Sequence, residues 1–210
     1  FFTTLNDGSK TIDEVERNIT RVIGLDDSND LYFRTLADTN RAAMVNLLQS
    51  QGLSQDELRQ RFQTTLIQAV NNAQQAINLN KEAPANWITL GLIYELLVPI
   101  GVVGAPEQAE ATYKKAFELS PKNPAILVDL ARLSFTKGDT PAARSYLEEA
   151  LSLKVDYTTA LFMLAQIDLA AGDTKQAINR AEQAILLTSN DPGAHFQLGF
   201  LRYRTSDFRG

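Results

Sequence analysis

The chain contains no cysteine and a single histidine, His195, among its 210 residues. Without thiols it forms no disulfide, no thiolate zinc site and no cysteine nucleophile, and one imidazole has no second imidazole with which to share a metal. Lack of cysteine does not by itself choose between a reducing and an oxidising compartment. No stretch approaches the roughly 18 uninterrupted apolar residues of a membrane-spanning helix, and no glycine-rich loop of Walker or Rossmann spelling is present to cradle a phosphate. Lys plus Arg number 20 against 25 Asp plus Glu, for a net charge of -5, and no run concentrates the basic residues. A nucleic acid backbone therefore meets no basic face. These absences lead to the expectation of a soluble, cofactor-free domain, not an enzyme in itself and without a membrane span. By default it is cytoplasmic, unless it hangs from a membrane protein.

What is present is a repeat. Leu127, Leu130, Ala131, Gly138, Asp139, Thr140, Ala143 and Ala150 recur 34 positions later as Leu161, Leu164, Ala165, Gly172, Asp173, Thr174, Ala177 and Ala184. A period between about 20 and 50 residues signals stacked supersecondary units. Within each unit the apolar positions fall at i, i+3, i+4 and i+7, as in Trp87, Leu90, Gly91 and Tyr94, which lie on one face of a helix. Ala109, Tyr113 and Ala116 form a matching stripe on the next helix. Gly138-Asp139-Thr140 and Gly172-Asp173-Thr174 read as turns, with glycine ending one helix and Asp or Thr capping the next. The unit is thus a helical hairpin that buries its apolar face by stacking on its neighbours.

The spelling W-x2-L-G-x2-Y over Trp87 to Tyr94, followed by Ala109, Tyr113, Ala116 and Pro121, resembles the tetratricopeptide repeat (TPR) family. The resemblance implies an all-α, right-handed superhelical solenoid. On this reading residues 1–210 are a single solenoid. It comprises a partial repeat (1–29), a divergent long-helix repeat (30–83), a repeat with six extra residues (84–123), two regular repeats (124–157 and 158–191) and a partial repeat (192–210). Phe1 to Leu5 read as the tail of a helix, Thr11 as an N-cap with Glu14 completing a capping box, and Asp207-Phe208 as the turn after the last helix. A start at Phe1 without methionine and a stop in mid-repeat suggest a piece of a longer protein. In the long-helix repeat, Leu31, Phe33, Leu36, Ala37, Met44, Leu47 and Leu48 are expected to face inward, as are Leu58, Phe62, Leu66, Ala69, Ala73 and Ala76 on the next helix. The uncharged connection from Leu96 to Pro106 is expected to fold back on its own repeats, the alternative being a partner or membrane-surface contact.

Little here points to catalysis. His195 occupies the helix position of Leu127 and Leu161 and is expected in the core or facing an end. The pairs Asp26-Asp27 and Glu148-Glu149 are adjacent in sequence and diverge, unlike an acid/base dyad. The expected function is protein binding. In this family repeat positions 2, 5, 9, 12 and 13 of each first helix line the concave face. Among the residues at those positions, Leu92, Val128, Arg132, Phe135, Phe162, Gln166, Phe196, Phe200 and Tyr203 form the candidate groove. The Lys, Arg and Asn of the family's carboxylate clamp are missing, since Ile88, Leu92, Val128, Asp129, Thr159 and Met163 stand in those places. An apolar helical or extended protein segment, anchored by the aromatic residues, is the expected partner. Two alternatives stand beside this scaffold role. Asp30-Leu31-Tyr32-Phe33-Arg34 with Leu36-Ala37 is similar to repeat domains that follow the membrane helices of bacterial O-antigen ligase or polymerase-like proteins, which implies a soluble accessory domain of such an enzyme. The other is self-association into a homo-oligomer.

Overall fold

The computed structural model describes residues 12–50, 52–188 and 192–204. Expectations placed on 1–11, including the Thr11 cap, and on Asp207-Phe208 lie outside the described residues. All regular structure in them is helical: α1 (Ile12–Ile23), α2 (Asp30–Gln49), α3 (Gln55–Leu79), α4 (Pro84–Leu97), α5 (Ala105–Leu119), α6 (Pro124–Thr136), α7 (Thr140–Leu153), α8 (Thr158–Ala170), α9 (Thr174–Leu187) and α10 (Pro192–Arg204). This is the expected all-α class of helical hairpins. The chain divides into two compact units, one ending at Leu119 and holding α1 to α5, the other starting at Ser120 and holding α6 to α10.

In the second unit the period is visible atom by atom. Gly138 and Gly172 end α6 and α8 with φ of 81° and 84°, a left-handed conformation that costs glycine nothing. Around each, two backbone bonds close the helix: Gly138 N to Phe135 O and Asp139 N to Ser134 O, then Gly172 N to Leu169 O and Asp173 N to Asp168 O. This is the Schellman arrangement, which satisfies the last carbonyls. The same aspartates start the next helices, Asp139 accepting from Ala142 N and Asp173 from Gln176 N, both at 3.1 Å. One short stretch thus stops a helix, reverses the chain and caps its successor. α7 then presents Ala143, Leu147 and Ala150 to the interior, and α9 presents Ala177, Ala181 and Ala184, all fully buried.

The first unit contains both departures from the period. In α2 and α3 the register is conserved, though the length is not. Leu36-Ala37 are buried as Leu90-Gly91 are, and Ala69, Ala73 and Ala76 are buried at the spacing of Ala109, Tyr113 and Ala116. Leu36-Ala37 precede Leu90-Gly91 by 54 residues, 20 more than the period, and the surplus lengthens α2 and α3 to 20 and 25 residues. The prolonged hairpin is closed by a capping box in which Ser54 Oγ accepts from Glu57 N while Glu57 accepts from Ser54 N. Its apolar side is then met by the two ends of the connection between α4 and α5. Leu97 and Ala105 are buried in one cluster with Met44, Ala69 and Ala73, and Phe62, Leu66, Val70, Leu96 and Val98 pack against it. The two irregularities therefore fit each other. The connection folds back at its ends, whereas Ile100, Val102 and Val103 at its middle are exposed. Leu48, expected inside, is exposed as well, since it lies in the last turn of α2 where little chain remains to cover it. Leu31, Phe33 and Leu47, and Leu58, Phe62 and Leu66 on α3, are half-buried.

Buried amide N–H groups of this unit are tied across elements, while Asn86 Oδ1 accepts no hydrogen bond. Asn86, fully buried at the start of α4, donates to Asp30 Oδ2, Ala76 O and Asn80 O at 2.8–3.0 Å. Asn72 of α3 donates to the buried Asn40 of α2 at 3.0 Å. Trp87 Nε1 closes the preceding turn on Lys81 O at 2.8 Å.

A close helix approach is found at Gly91. A Cβ there would stand 2.5 Å from Cε1 of the fully buried Tyr113, whose hydroxyl donates to Glu95. The equivalent positions in later repeats hold Ala131 with Leu147 and Ala165 with Ala181, so the bulk on one helix is matched by its absence on the other. Gly91→Ala is expected to cost about 1–3 kcal/mol by overpacking. Adding Tyr113→Leu should recover part of the loss in chemical denaturation, whereas a double variant no more stable than Gly91→Ala would show that the ring is not the obstacle.

Candidate functional site

The candidate groove residues are distributed over both units. Leu92, on α4 of the first, is half-buried. In the second unit α6 carries Val128, Arg132 and Phe135, α8 carries Phe162 and Gln166, and α10 carries Phe196, Phe200 and Tyr203. Val128 is only 4% exposed and offers nothing to a partner. The buried residues of α6, from Ile126 to Leu133, cover about 220° of its circumference at ~100° per residue, so the angle assigned to an open face is closed there. Arg132 is half-buried and holds Asp129 one turn back at 2.8 Å. Phe135, in the last turn of α6, emerges from that cover and is exposed. Phe162 is half-buried and packs with Leu169 and Leu198 against Ala165, Ala177 and Ala181, which makes it a core residue in part. Gln166 is exposed.

α10 differs from the other helices. Leu198 fixes it to the alanine cluster of α8 and α9, and Arg202 reaches Glu182 of α9 at 2.8 Å. Phe196, Phe200 and Tyr203, at i, i+4 and i+7, lie on another side and are 74%, 50% and 71% exposed. His195, expected in the core or at an end, is exposed. At about 1.5–3 kcal/mol for fully burying a large apolar side chain, such a stripe retains much unused capacity for burial.

Two charged constellations were missed in the sequence. On α2, Arg34, Asp38 and Arg41 stand where α4 has Ile88, Leu92 and Glu95, a correspondence that only the 54-residue offset reveals. Asp38 lies near the buried Thr89, whose hydroxyl approaches its carboxylate at 3.4 and 3.5 Å, with Arg41 at 3.7 Å. Burial pushes the Asp38 carboxyl above its ordinary value; Arg41, the Thr89 hydroxyl and Arg34 oppose the shift without cancelling it. The second constellation is at Asp168, at the repeat position held by Tyr94, Ser134 and Arg202 in the other units. Its carboxylate is buried between two arginines: Oδ1 accepts from Arg144 Nη2 of α7 at 2.6 Å, and Oδ2 pairs by charge with Arg180 Nε of α9 at 2.8 Å, without a hydrogen bond. One repeat is thereby bolted to the next.

Against known proteins, the family described as Tetratricopeptide repeat matches residues 103–152 and 134–199. These residues, just under half of the chain, carry the tetratricopeptide repeat match. Among solved structures, a thermophilic TPR protein of Thermus thermophilus aligns with 16% identity over 91% of each chain, with a TM-score of 0.70. PilW, a widely conserved type IV pilus biogenesis factor, aligns with 15% identity over 94% of this chain and 80% of its own, with a TM-score of 0.67. YrrB, a TPR protein with an unusual peptide-binding site, aligns with 14% identity over 91% and 85%, with a TM-score of 0.53. At such identities the likeness is one of fold. No curated protein matches the chain in sequence, and the O-antigen ligase likeness of residues 30–37 finds no support among these relatives.

Asp38 yields a pH prediction. A carboxyl raised in the folded state contributes stability fully below its unfolded pKa of about 3.9, and that contribution is lost as pH rises through the higher folded value. Asp38→Asn should therefore gain on the parent protein as urea denaturation is moved from about pH 3.5 to pH 7. A difference that does not change with pH would refute the sign.

Proposed function

We infer that the chain is a protein-binding scaffold that holds an apolar helical or extended segment of a partner in its concave groove. Tetratricopeptide repeats mediate protein–protein interactions, and repeat stacks present extended surfaces suited to it. The observation that carries the finer reading is the α10 stripe of Phe196, Phe200 and Tyr203, three large side chains at helical spacing that are 74%, 50% and 71% exposed. Aromatic residues dominate interface energetics, and exposed apolar stripes of this kind mark contact surfaces. Phe135 on α6 and the open part of Phe162 on α8 would extend the surface, with Gln166 and Arg132 as polar contacts. Val128 contributes only through packing. Leu92 would serve a corresponding face of the first unit, where Arg34, Asp38 and Arg41 make the surroundings more polar.

Among the described residues no helix is long and apolar enough to cross a membrane. An accessory role beside a membrane-embedded enzyme would still use the same binding surface, with the enzyme as partner. The test is a Phe196→Glu, Tyr203→Glu variant, both positions being exposed enough for the fold to tolerate them. The expected result is an unchanged melting temperature together with loss of a partner that the parent protein retains from extract or membranes of the source cell. Retention of that partner by the folded variant would move recognition elsewhere. A solution mass that falls from dimer to monomer in the variant would make the partner a second copy.

A further inference from the structure

The Asp168 constellation carries one positive charge more than it needs. Two guanidinium groups meet one carboxylate, and among the described residues neither Arg144 nor Arg180 makes another hydrogen bond or ion pair. Glu182 is engaged by Arg202, and Glu148, one turn beyond Arg144 on α7, is exposed and forms no ion pair with it. The Asp168 side chain is 4% exposed, those of Arg144 and Arg180 32% and 22%. The surplus charge therefore sits at the edge of the protein, where solvent screens it less than on an open surface.

Stability alone does not call for this arrangement. Desolvating two cations around one anion is expensive, and well-packed apolar residues often do as well or better; Tyr94 fills the same repeat position in another hairpin. Asp168 Oδ1 accepts from Nη2 of Arg144, whereas Nε of Arg180 faces Oδ2 at 2.8 Å as an ion pair, out of line for a hydrogen bond. A guanidinium has five N–H donors in a planar fork that fits a carboxylate. The two ion pairs keep both guanidinium groups beside one buried carboxylate and leave further N–H donors of each for a ligand.

We propose that Arg144 and Arg180, held by Asp168 between α7 and α9, form an anion subsite that takes the carboxylate of an Asp or Glu side chain on a bound protein. The subsite is built from α7, α8 and α9 and shares no residue with the α10 stripe, and so would take an acidic residue of the partner in addition to an apolar segment. It rests on the protein-binding reading for the source of its ligand, whereas its affinity for a carboxylate can be measured without a partner.

The test is a titration of the full chain with sodium acetate at constant ionic strength, following the Nε–Hε resonances of the arginines by NMR. Saturable shifts at Arg144 and Arg180 are expected, with none at the exposed Arg59. Shifts that grow linearly and equally at all three would reduce the effect to screening and overturn the proposal. Asp168→Asn, which keeps both cations and removes the internal anion, should tighten acetate binding at least threefold if it folds; unchanged affinity in a folded variant would refute the site. Should it unfold, the titration of the parent protein decides alone. Inorganic phosphate bound tenfold more tightly than acetate would overturn the carboxylate assignment. Acetate binding that survives Phe196→Glu, Tyr203→Glu, while the partner is lost, separates this subsite from the groove.

Discussion

Close approach of helix backbones is the constraint on which the rest of the structure depends. A TPR-like hairpin has no core of its own; its apolar face becomes interior only when the paired helix lies near enough to exclude water. Small residues along each seam permit this, and their partners are sized to match. Where Gly91 removes even a methyl group, a whole tyrosine ring occupies the vacated space. Where both partners are alanines, Ala165 and Ala181, the cluster is completed by Phe162, Leu169 and Leu198 from the flanks. Interiors are packed densely enough that a single methylene is felt, so each pairing restricts what its neighbour can be.

This constraint was legible wherever the seam is spelled in one repeating register. Ala143, Ala150, Ala177 and Ala184, with the Gly-Asp-Thr turns between helices, are local signals, and their consequences appear within one or two turns of chain. The repeat at residues 30–83 was harder to read because its surplus residues are shared between two helices, which leaves the Leu36-Ala37 and Ala69-Ala73-Ala76 spacings intact but separates them. The connection near residue 100 was expected to fold back on its own repeats, but the place where it docks could not be named for the same reason. Its partner, the far end of the α2–α3 hairpin, lies dozens of residues upstream.

The site was less legible than the fold. Angular position around a helix located the exposed Phe196, Phe200 and Tyr203, but it placed Val128 outside as well, because it takes no account of how far cover extends around a given helix. Asp168 was overlooked because nothing in its own neighbourhood marks it: Arg144 lies 24 residues before it, and the link depends on three helices coming together. Asp38 was hidden by the same 54-residue offset that obscured the hairpin. In each case the residue type was visible and the partner was not. Only the repeat alignment, which sets Asp168 beside Tyr94, Ser134 and Arg202, could have raised a flag in advance.

The central claim is that stacking consumes the apolar seams and leaves the α10 aromatics over for recognition. Hydroxyl-radical footprinting of the free protein measures this most directly, since it reports the solvent exposure of individual aromatic side chains. Oxidation of Phe196 and Tyr203 should be many times faster than that of Tyr113, whose ring is sealed against Gly91. Comparable protection of all three would contradict the claim, because it would mean that the stripe is already covered and that the surface assigned to a partner belongs to the interior.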